Sequence, residues 1–425
     1  MSSKYLMLLL ALAAVYTAAA ENLESYEGAQ LLRVKLSTPA QLKAISILET
    51  LNFKVDFWLE PSTKHPVDIY VPQQHLSSVK LYLKEHGIEH EVSIPDVGEL
   101  ISEQARSVIG IQQDDEMTWD VYHRYDTIMT FVDRLAADYP DLATVENYGV
   151  STEGRPLNII KIGRNDTSGK VKPAFFMDGG MHAREWISPA IVTWFMRELL
   201  ENQAENQDIL DGLDIYITPI ANPDGYEFTR TNQRLWRKTR SNQNSPVGCM
   251  GVDPNRNFEV EWGGPGSSGD KCSDIYRGPE PWSEPETRGI KEFVERKLEQ
   301  GVNWVAYFAV HSYAQMWLVP WGWTYDLPPT YEELIQFGNV GASALTSIHG
   351  TRYDVGSVTE LLTPGSGGSD DWAYGSGIFR YSQTVEVRDT GRYGFVLPPD
   401  QIIPCAQETF AAIQAVSRFI ITGQK

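Results

Sequence analysis

The fold class of this 425-residue chain follows from residues 174–186, which read AFFMDGGMHAREW. The stretch predicts an apolar strand at 174–177 that turns through two glycines into a helix at 183–202. Continuous apolar strands between helices indicate a mostly parallel sheet that is buried on both faces. The predicted fold is therefore α/β, with a mostly parallel mixed sheet flanked by helices. Further strands are predicted at 213–220, 304–310 and 381–387, and further helices from a capping box at 283–286 to about 300 and at 400–421. Ser283 and Glu286 have the spacing of a capping box that would open the first of these two helices.

Three residues with metal-ligand side chains follow two of these strands. His182 and Glu185 are three positions apart on a predicted helical turn after the first strand, and His311 ends the strand at 304–310. Open α/β sheets build their sites at the carboxyl ends of strands. Two histidines and one glutamate that leave a fourth position open are a ligand set of catalytic zinc. The sequence predicts one Zn²⁺ per chain on His182, Glu185 and His311; histidines held by core backbone groups are the simpler alternative.

Glu386 is a carboxylate inside the otherwise apolar strand at 381–387. Burial of a carboxylate is costly unless the group is paired or functional. Strand alternation places Glu386 and Arg388 on the same face, so an ion pair between them is one explanation. The other is that Glu386 is the general base that a catalytic zinc site requires. Glu386 is our candidate for that base.

Cationic side chains cluster at 234–240 (RLWRKTR) and at 253–257 (DPNRN) in a chain of net charge −20. Most arginines in such runs are solvated. Beside a zinc ion, however, a cationic pocket suits two tasks. It can stabilise the oxyanion of a tetrahedral intermediate, or it can hold a substrate carboxylate with a bidentate guanidinium group.

A smaller unit precedes the α/β domain. Its pattern predicts the order β-α-β-β-α-β, which is that of a small α+β open sandwich. The predicted strands are at 31–36, 54–59, 67–71 and 89–93, and the helices at 40–51 and 74–86.

Arg106 is the one lysine or arginine between Lys84 and Arg124. A trypsin-like protease would have a single target there, although an ordinary surface arginine is the simpler reading. With the small unit before it, Arg106 favours a zymogen. We expect a signal peptide at 1–20, an activation pro-domain at 21–106 with a connecting segment to about 116, and a catalytic domain at 117–425.

The first 20 residues have the pattern of a secretory signal peptide. Lys4 precedes an apolar run at 5–15, and three alanines at 18–20 precede Glu21. The run is too short to span a membrane. We therefore expect a secreted, extracellular protein. Its net charge of −20 argues against nucleic acid or an anionic membrane as a partner.

Secretion makes the three cysteines interpretable. Cys249 and Cys272 flank a Gly/Ser-rich loop and are expected to form a disulfide, worth about 3 kcal/mol of loop closure. Cys405 is then left as a buried free thiol. Asn165 begins the one acceptable N-glycosylation sequon, in loop-like surroundings.

Seven short motifs carry a family resemblance. They are HAREW at 182–186, NPDGY at 222–226, RLWRKTRS at 234–241, DPNRN at 253–257, HSY at 311–313, SGGS at 366–369 and EVRDTG at 386–391. In combination they resemble the secreted, pancreatic-type zinc metallocarboxypeptidases of the A/B family. The resemblance covers nearly the whole precursor, pro-domain included, and is closest to the B-like digestive enzymes.

The resemblance implies a carboxypeptidase-like fold and roles for individual residues. Glu386 would be the general base, and Arg237 would polarise the scissile carbonyl. The pro-domain would cap the active-site cleft until it is cleaved. The positions that match substrate-binding residues are Asn255, Arg256, Arg184 and Tyr313. The first two would hold the substrate's terminal carboxylate, and the other two would line subsites.

Two positions bear on substrate choice. Thr363 stands where the family usually has a mobile tyrosine, which implies weaker substrate binding but intact zinc chemistry. Asp370 matches the position at which basic-specific members place an aspartate, so we expect release of C-terminal Lys or Arg. Gly322 and Val358 fit the apolar-specific pattern better, and Asp370 could instead be a structural neighbour of Asp371.

The leading hypothesis is a secreted, monomeric zinc exopeptidase that acts on peptide and protein C-termini. An activating trypsin-like protease and protein inhibitors would be its partners. The alternatives are A-type specificity for apolar or aromatic residues, and a catalytically weak binding protein that retains zinc. A serine hydrolase is excluded by the absence of a G-x-S-x-G elbow, and an endopeptidase zincin by the absence of H-E-x-x-H.

Overall fold

The computed structural model describes residues 24–106, 116–165, 169, 171–242, 245 and 248–423. The predicted signal peptide, most of the predicted connecting segment and two residues of the sequon at Asn165 lie outside these ranges. The described chain forms two sheets, a four-stranded one in the N-terminal unit and an eight-stranded one in the larger unit.

The N-terminal unit is an antiparallel sheet in the order β2-β3-β1-β4 that packs against two helices. The predicted β-α-β-β-α-β order is confirmed. The elements are β1 (Gln30–Val34), α1 (Pro39–Ile47), β2 (Asp56–Leu59), β3 (Val67–Val71), α2 (Leu76–Glu85) and β4 (His90–Ile94), with short 3-10 turns at Leu48–Thr50 and Gln73–His75.

A third helix, α3 (Val97–Arg106), follows β4 in a part of the predicted pro-domain for which no helix or strand was predicted. Its start is capped because an oxygen of Asp96 accepts a hydrogen bond from the backbone N–H of Glu99 at 3.0 Å. Val97 is buried, and Leu100 and Ile101 pack against the same apolar cluster. The spacing of these residues is helical, so the signal for α3 was present in the sequence.

The eight-stranded sheet has the order β11-β10-β12-β9-β7-β8-β6-β5. Its central strands β12, β9, β7 and β8 run parallel, and antiparallel pairs join β10 to β12, β6 to β8 and β5 to β6. The prediction of a mixed, mostly parallel sheet is confirmed. The strands are β5 (Ala143–Val150), β6 (Pro156–Ile162), β7 (Pro173–Gly179), β8 (Asp214–Thr218), β9 (Asn303–Ser312), β10 (Met316–Val319), β11 (Asp354–Ser357) and β12 (Tyr381–Val387).

Helices cover both faces of this sheet. On β7, Phe175 and Met177 join one apolar core, and Ala174 and Phe176 join the other, as strand alternation requires. The helices are α4 (Tyr125–Asp138), α5 (Ile187–Glu201), α6 (Gln207–Gly212), α7 (Pro223–Thr231), α8 (Pro285–Glu299), α9 (Tyr331–His349), α10 (Val358–Leu361), α11 (Ser369–Gly375) and α12 (Ile402–Thr422). Short 3-10 turns lie at Pro254–Arg256, Gly394–Val396 and Pro399–Gln401.

Two predicted helix starts are wrong. The helix expected from residue 183 begins at Ile187, because Pro189 has no N–H to donate to the carbonyl four residues earlier and therefore fits only the first turn. The capping box at Ser283 and Glu286 does not form. Helix α8 begins instead with Pro285 at its first position and has Glu284 as its N-cap, without a side-chain cap bond.

The cysteines behave as predicted. Cys249 and Cys272 form a disulfide, and Cys405 is a buried free thiol. Burial raises the pKa of the Cys405 thiol to about 12. Among the described residues, no helix is both long and apolar enough to cross a membrane.

Candidate metal centre and substrate cleft

The parallel strands bring the predicted metal ligands and the predicted base to one edge of the sheet. Strands β7 and β9 pair with Gly179 opposite Val310, so the residues that follow each strand are neighbours. Strands β9 and β12 pair with His311 opposite Glu386. His182 and Glu185 lie on the turn between β7 and α5, not on a helix as predicted.

His182, Glu185 and His311 are buried and converge on one point. Nδ1 of His182 lies 2.8 Å from Oε1 of Glu185, and Nδ1 of His311 lies 3.0 Å from Oε2 of Glu185. Their ligand atoms lie within 4.8 Å of one another, so the three residues could hold a metal ion. Two histidine nitrogens and one carboxylate are a protein ligand set typical of catalytic zinc, which leaves a fourth coordination position for another ligand. Burial alone would raise the pKa of Glu185, but the charges and hydrogen bonds of the two histidines have the larger effect and lower that pKa.

Asp253 links the metal centre to Arg237. Its Oδ1 lies 3.1 Å from Nε2 of His182, and its Oδ2 accepts two hydrogen bonds from Arg237, at 3.1 and 2.9 Å. A carboxylate on the second nitrogen of a ligand histidine fixes its tautomer and orientation. We did not single out Asp253 from the sequence. Its place in the DPNRN motif, beside a cationic run, was the available signal.

Glu386 does not pair with Arg388. The Arg388 guanidinium binds Glu408, with Nε donating to Oε2 at 2.9 Å, and also donates to Gln401 at 2.8 Å. The ion-pair alternative for Glu386 is therefore wrong. Burial raises the pKa of Glu386 to about 8, against the opposing charge of His311. A carboxyl group with that pKa can exchange a proton near neutral pH.

His182, Glu185, Arg237 and Glu386 line a cavity of about 130 Å³ together with several predicted substrate residues. The Asn255 side-chain oxygen accepts from the backbone N–H of Ser369 at 2.9 Å, which fixes its amide plane. Arg256 donates to the carbonyls of Gly266 and Asn255 at 2.7 and 2.8 Å. The predicted site residues in the cavity wall are His182, Glu185, Arg237, Asn255, Arg256, Tyr313, Thr363, Asp370 and Glu386.

The two neighbouring aspartates in the cavity region have different surroundings. Both carboxylate oxygens of Asp371 accept from the backbone N–H of Gly322, at 2.8 and 3.0 Å. Oδ2 of Asp370 is buried and has no hydrogen-bond partner among the described residues. Asp371 therefore supports the loop at Gly322, whereas Asp370 keeps one carboxylate oxygen unpaired beside the cavity.

Thr363 lies on a loop that backbone hydrogen bonds fix at both ends. Leu362 donates to the carbonyl of Val358 at 2.7 Å, and Gly365 donates to that of Gly322 at 2.6 Å. Thr363 also lines an adjoining cavity together with Glu60 and Arg256. Phe57 also lines both cavities, so the two adjoin at these shared residues.

Strand β2 of the N-terminal unit covers the cleft. Residues 57–59 of this strand and the next residue, Glu60, line the same cavity as His182 and Glu185. Arg184 is buried and donates to Oδ2 of Asp56 at 2.6 Å. The hydroxyl of Tyr313 donates to Oδ2 of Asp68 at 2.7 Å. Both predicted subsite residues are thus engaged by carboxylates of the N-terminal unit.

The remaining predicted residues lie away from the cavity. Arg106 ends α3, whose Gln104 donates to the carbonyl of Leu397 at 2.9 Å and accepts from Arg234 at 2.9 Å. The Cys249–Cys272 disulfide is outside the cavity wall. Asn165 is exposed.

Comparison with protein families and known proteins agrees with this geometry. Residues 128–412 match the zinc carboxypeptidase family, and residues 32–104 match the carboxypeptidase activation peptide. Carboxypeptidase B of Astacus astacus is 48% identical over 304 residues, covering 72% of this chain and 98% of that protein. Carboxypeptidase A1 of Mus musculus is 38% identical over 411 residues, covering 95% and 96%.

Solved structures of carboxypeptidases and of thrombin-activatable fibrinolysis inhibitor share this fold. Thrombin-activatable fibrinolysis inhibitor matches with a TM-score of 0.84 at 31% identity, covering 94% of this chain and 100% of that one. Carboxypeptidase A from Helicoverpa armigera has a TM-score of 0.84 at 27% identity, covering 94% and 99%. The bovine form of the first protein, in complex with tick carboxypeptidase inhibitor, has a TM-score of 0.66 at 35% identity, covering 72% and 99%.

Proposed function

The chain belongs to the zinc carboxypeptidase family and carries its activation-peptide domain. We propose that this metallocarboxypeptidase releases C-terminal Lys or Arg from peptides and proteins. The observation that carries this specificity is Asp370. Its unpaired, buried carboxylate oxygen beside the cavity suits a terminal ammonium or guanidinium group. Relatives of both the A and the B type match the chain, so specificity must come from this chain's own residues.

We propose that His182, Glu185 and His311 bind the zinc ion. When bound, zinc supplies a Lewis acid at the open fourth position of this ligand set. Asp253 orients His182 through its Nε2 atom. The ligand atoms are buried, which strengthens their interaction with a cation.

Glu386 is the proposed general base. It lies opposite His311 in the β9–β12 pair, and Arg388 binds Glu408 instead of Glu386, so the Glu386 carboxylate can take a proton from the attacking water. The same carboxyl group can then give the proton to the leaving amine. Arg237, held in place by Asp253, would donate to the carbonyl oxygen as negative charge develops on it.

Asn255 and Arg256 are proposed to hold the terminal carboxylate of the substrate. Both line the cavity, and their side chains are oriented by hydrogen bonds to Ser369 and Gly266. An exopeptidase needs such a clamp because it must recognise a chain end before it cleaves. Arg184 and Tyr313 would bind residues further from that end.

The N-terminal unit is the proposed inhibitor of the uncleaved protein. It covers the cleft and engages Arg184 and Tyr313, so a substrate cannot reach the cavity. Cleavage after Arg106 by a trypsin-like protease would activate a secreted enzyme with the domain limits predicted above. Once the cleft is open, a small protein inhibitor could enter it.

A-type specificity remains the second candidate, because Gly322 and Val358 line the same cavity and resemble the apolar-specific pattern. The test is kcat/KM of the trypsin-treated protein on two matched peptides that end in Arg and in Phe. We expect Arg to be preferred, and Asp370→Asn to reduce kcat/KM for Arg by about 30-fold or more, since truncating one partner of a buried charged pair costs about 2–5 kcal/mol.

The Phe peptide is the matched control, because Asp370→Asn should change its kcat/KM little. A wild-type preference for Phe would overturn the basic specificity and leave the zinc chemistry intact. Failure to cleave either peptide, with zinc bound and the N-terminal unit removed, would favour a zinc-retaining binding protein.

A further inference from the structure

The two histidines of the metal centre differ in how their second nitrogen is held. Both direct Nδ1 towards Glu185, and the two Nδ1 atoms are 3.1 Å apart. A neutral imidazole that gives its Nδ1 lone pair to a metal carries its proton on Nε2. Nε2 of His182 faces Asp253, but Nε2 of His311 is buried with no hydrogen-bond partner among the described residues.

A second unpartnered atom belongs to Asp178, at the end of β7. Asp178 is fully buried, and its Oδ2 accepts a hydrogen bond from the Tyr307 hydroxyl at 2.6 Å. Its Oδ1 is buried and has no hydrogen-bond partner in the described part of the chain. Polar atoms buried in this way are usually satisfied by protein groups or by ordered water.

Strand register places these two unpartnered groups side by side. Asp178 of β7 pairs with Ala309 of β9, and residues two apart on a strand share a face. Tyr307 and His311 therefore flank the position opposite Asp178 on the same face. Tyr307 already holds one oxygen of the carboxylate. Ala309 has only a methyl group between the two flanking rings.

We propose that Asp178 is a positioning residue for His311. Its Oδ1 accepts the hydrogen of His311 Nε2 through one bridging water molecule, because the two atoms make no direct hydrogen bond. The bridge holds the imidazole in the tautomer and orientation that direct Nδ1 towards the metal. Each ligand histidine then has its own buried carboxylate, Asp253 directly for His182 and Asp178 indirectly for His311.

This inference rests on the proposed ligand assignment, and zinc affinity tests it without an activity assay. The full-length protein is stripped of metal, and Zn²⁺ is titrated against a competing chelator. Asp178→Asn keeps the size and an acceptor for Tyr307 but removes the carboxylate. We expect its zinc affinity to fall about 10- to 100-fold, the usual effect of removing such a partner. The visible absorption of the Co²⁺-substituted protein should shift as well.

Two variants separate positioning from general destabilisation. Asp224→Asn removes another fully buried carboxylate, which is bound by Ser151 and Arg155 rather than by a ligand histidine. It should leave zinc affinity within about twofold. Asp253→Asn should weaken zinc binding and shows that the assay detects a lost histidine partner.

The inference is overturned if Asp178→Asn binds zinc as tightly as the wild type with an unchanged Co²⁺ spectrum while Asp253→Asn is weakened. A wild type that binds no zinc would overturn the ligand assignment too. If Asp178→Asn does not fold, the wild type labelled with ¹⁵N-histidine replaces it. The zinc-loaded protein should then show a slowly exchanging Nε2–H resonance from His311, and its absence would overturn the inference.

Discussion

Trp58 should contribute most of the binding free energy between the N-terminal unit and the cleft. It is buried, lines the metal cavity, and packs against Phe395 with ring centroids 5.1 Å apart and against Tyr313 at 6.5 Å. Within its own unit it stacks on Tyr70 at 6.3 Å. Trp58→Ala should therefore loosen the cover over the cleft while leaving the catalytic residues unchanged.

The size of the effect follows from the buried area. A buried aromatic side chain covers about 150–250 Å², which at about 25 cal/mol per Å² is worth about 4–6 kcal/mol. Tyr70 supplies part of that contact within the N-terminal unit, so we assign less than half, about 2 kcal/mol, to the contact between the units. At about 1.4 kcal/mol per factor of ten, the open population of the uncleaved protein should rise about 30-fold.

The assay measures residual activity of the uncleaved protein. Arg106→Gln in every sample prevents activation, and kcat/KM on a peptide ending in Arg is compared with and without Trp58→Ala. Leu81→Ala is the control, since Leu81 is 55% exposed on the same unit and away from the cavity wall. An activity ratio within about threefold of one would refute the claim that Trp58 holds the cover in place.

Three further predictions concern single groups. Glu386→Gln should lower kcat by about 10²- to 10⁴-fold, since it removes the general base, while zinc content by metal analysis stays at one ion per chain. Cys405, whose pKa burial raises to about 12, should resist alkylation of the native protein at pH 8 and react only after denaturation, as mass spectrometry would show. Glu286 is buried, and burial, aided by the charge of Glu284, raises its pKa to about 8. The folded state therefore holds this proton more tightly than the unfolded state, so stability should fall as pH rises from about 4.5 to 8. Glu286→Gln should remove that fall and raise the denaturation midpoint at pH 9; an unchanged midpoint there would contradict the assignment.

The fold class and the convergence of His182, Glu185 and His311 could be predicted because their signals are local. Continuous apolar runs indicate the parallel strands at the centre of the sheet. His182 and Glu185 follow one of these strands, and His311 lies at the end of its neighbour. The carboxyl ends of parallel strands meet at one edge whatever the loops do, so His182 and His311 had to come close. The helix start at Ile187 was also encoded, in Pro189, which fits only the first turn of a helix.

Other parts of the site depend on contacts between distant segments. Asp253 reaches His182 across 71 residues, and Asp56 reaches Arg184 across 128, so no spacing rule could have paired them. Whether Arg388 pairs with Glu386 could not be read from the sequence for the same reason. Glu408, which lies 20 residues beyond Arg388 on α12, binds Arg388 and so excludes that pair.

The most direct test of the account is to follow one peptide that ends in Arg by mass spectrometry before and after the protein is treated with trypsin. The trypsin is inhibited before the peptide is added. We predict far slower release of Arg before treatment and rapid loss of the single terminal Arg afterwards, abolished by a zinc chelator and restored by added Zn²⁺. Release of Arg that survives metal removal, or cleavage at internal bonds, would contradict the assignment of a zinc exopeptidase made as a zymogen.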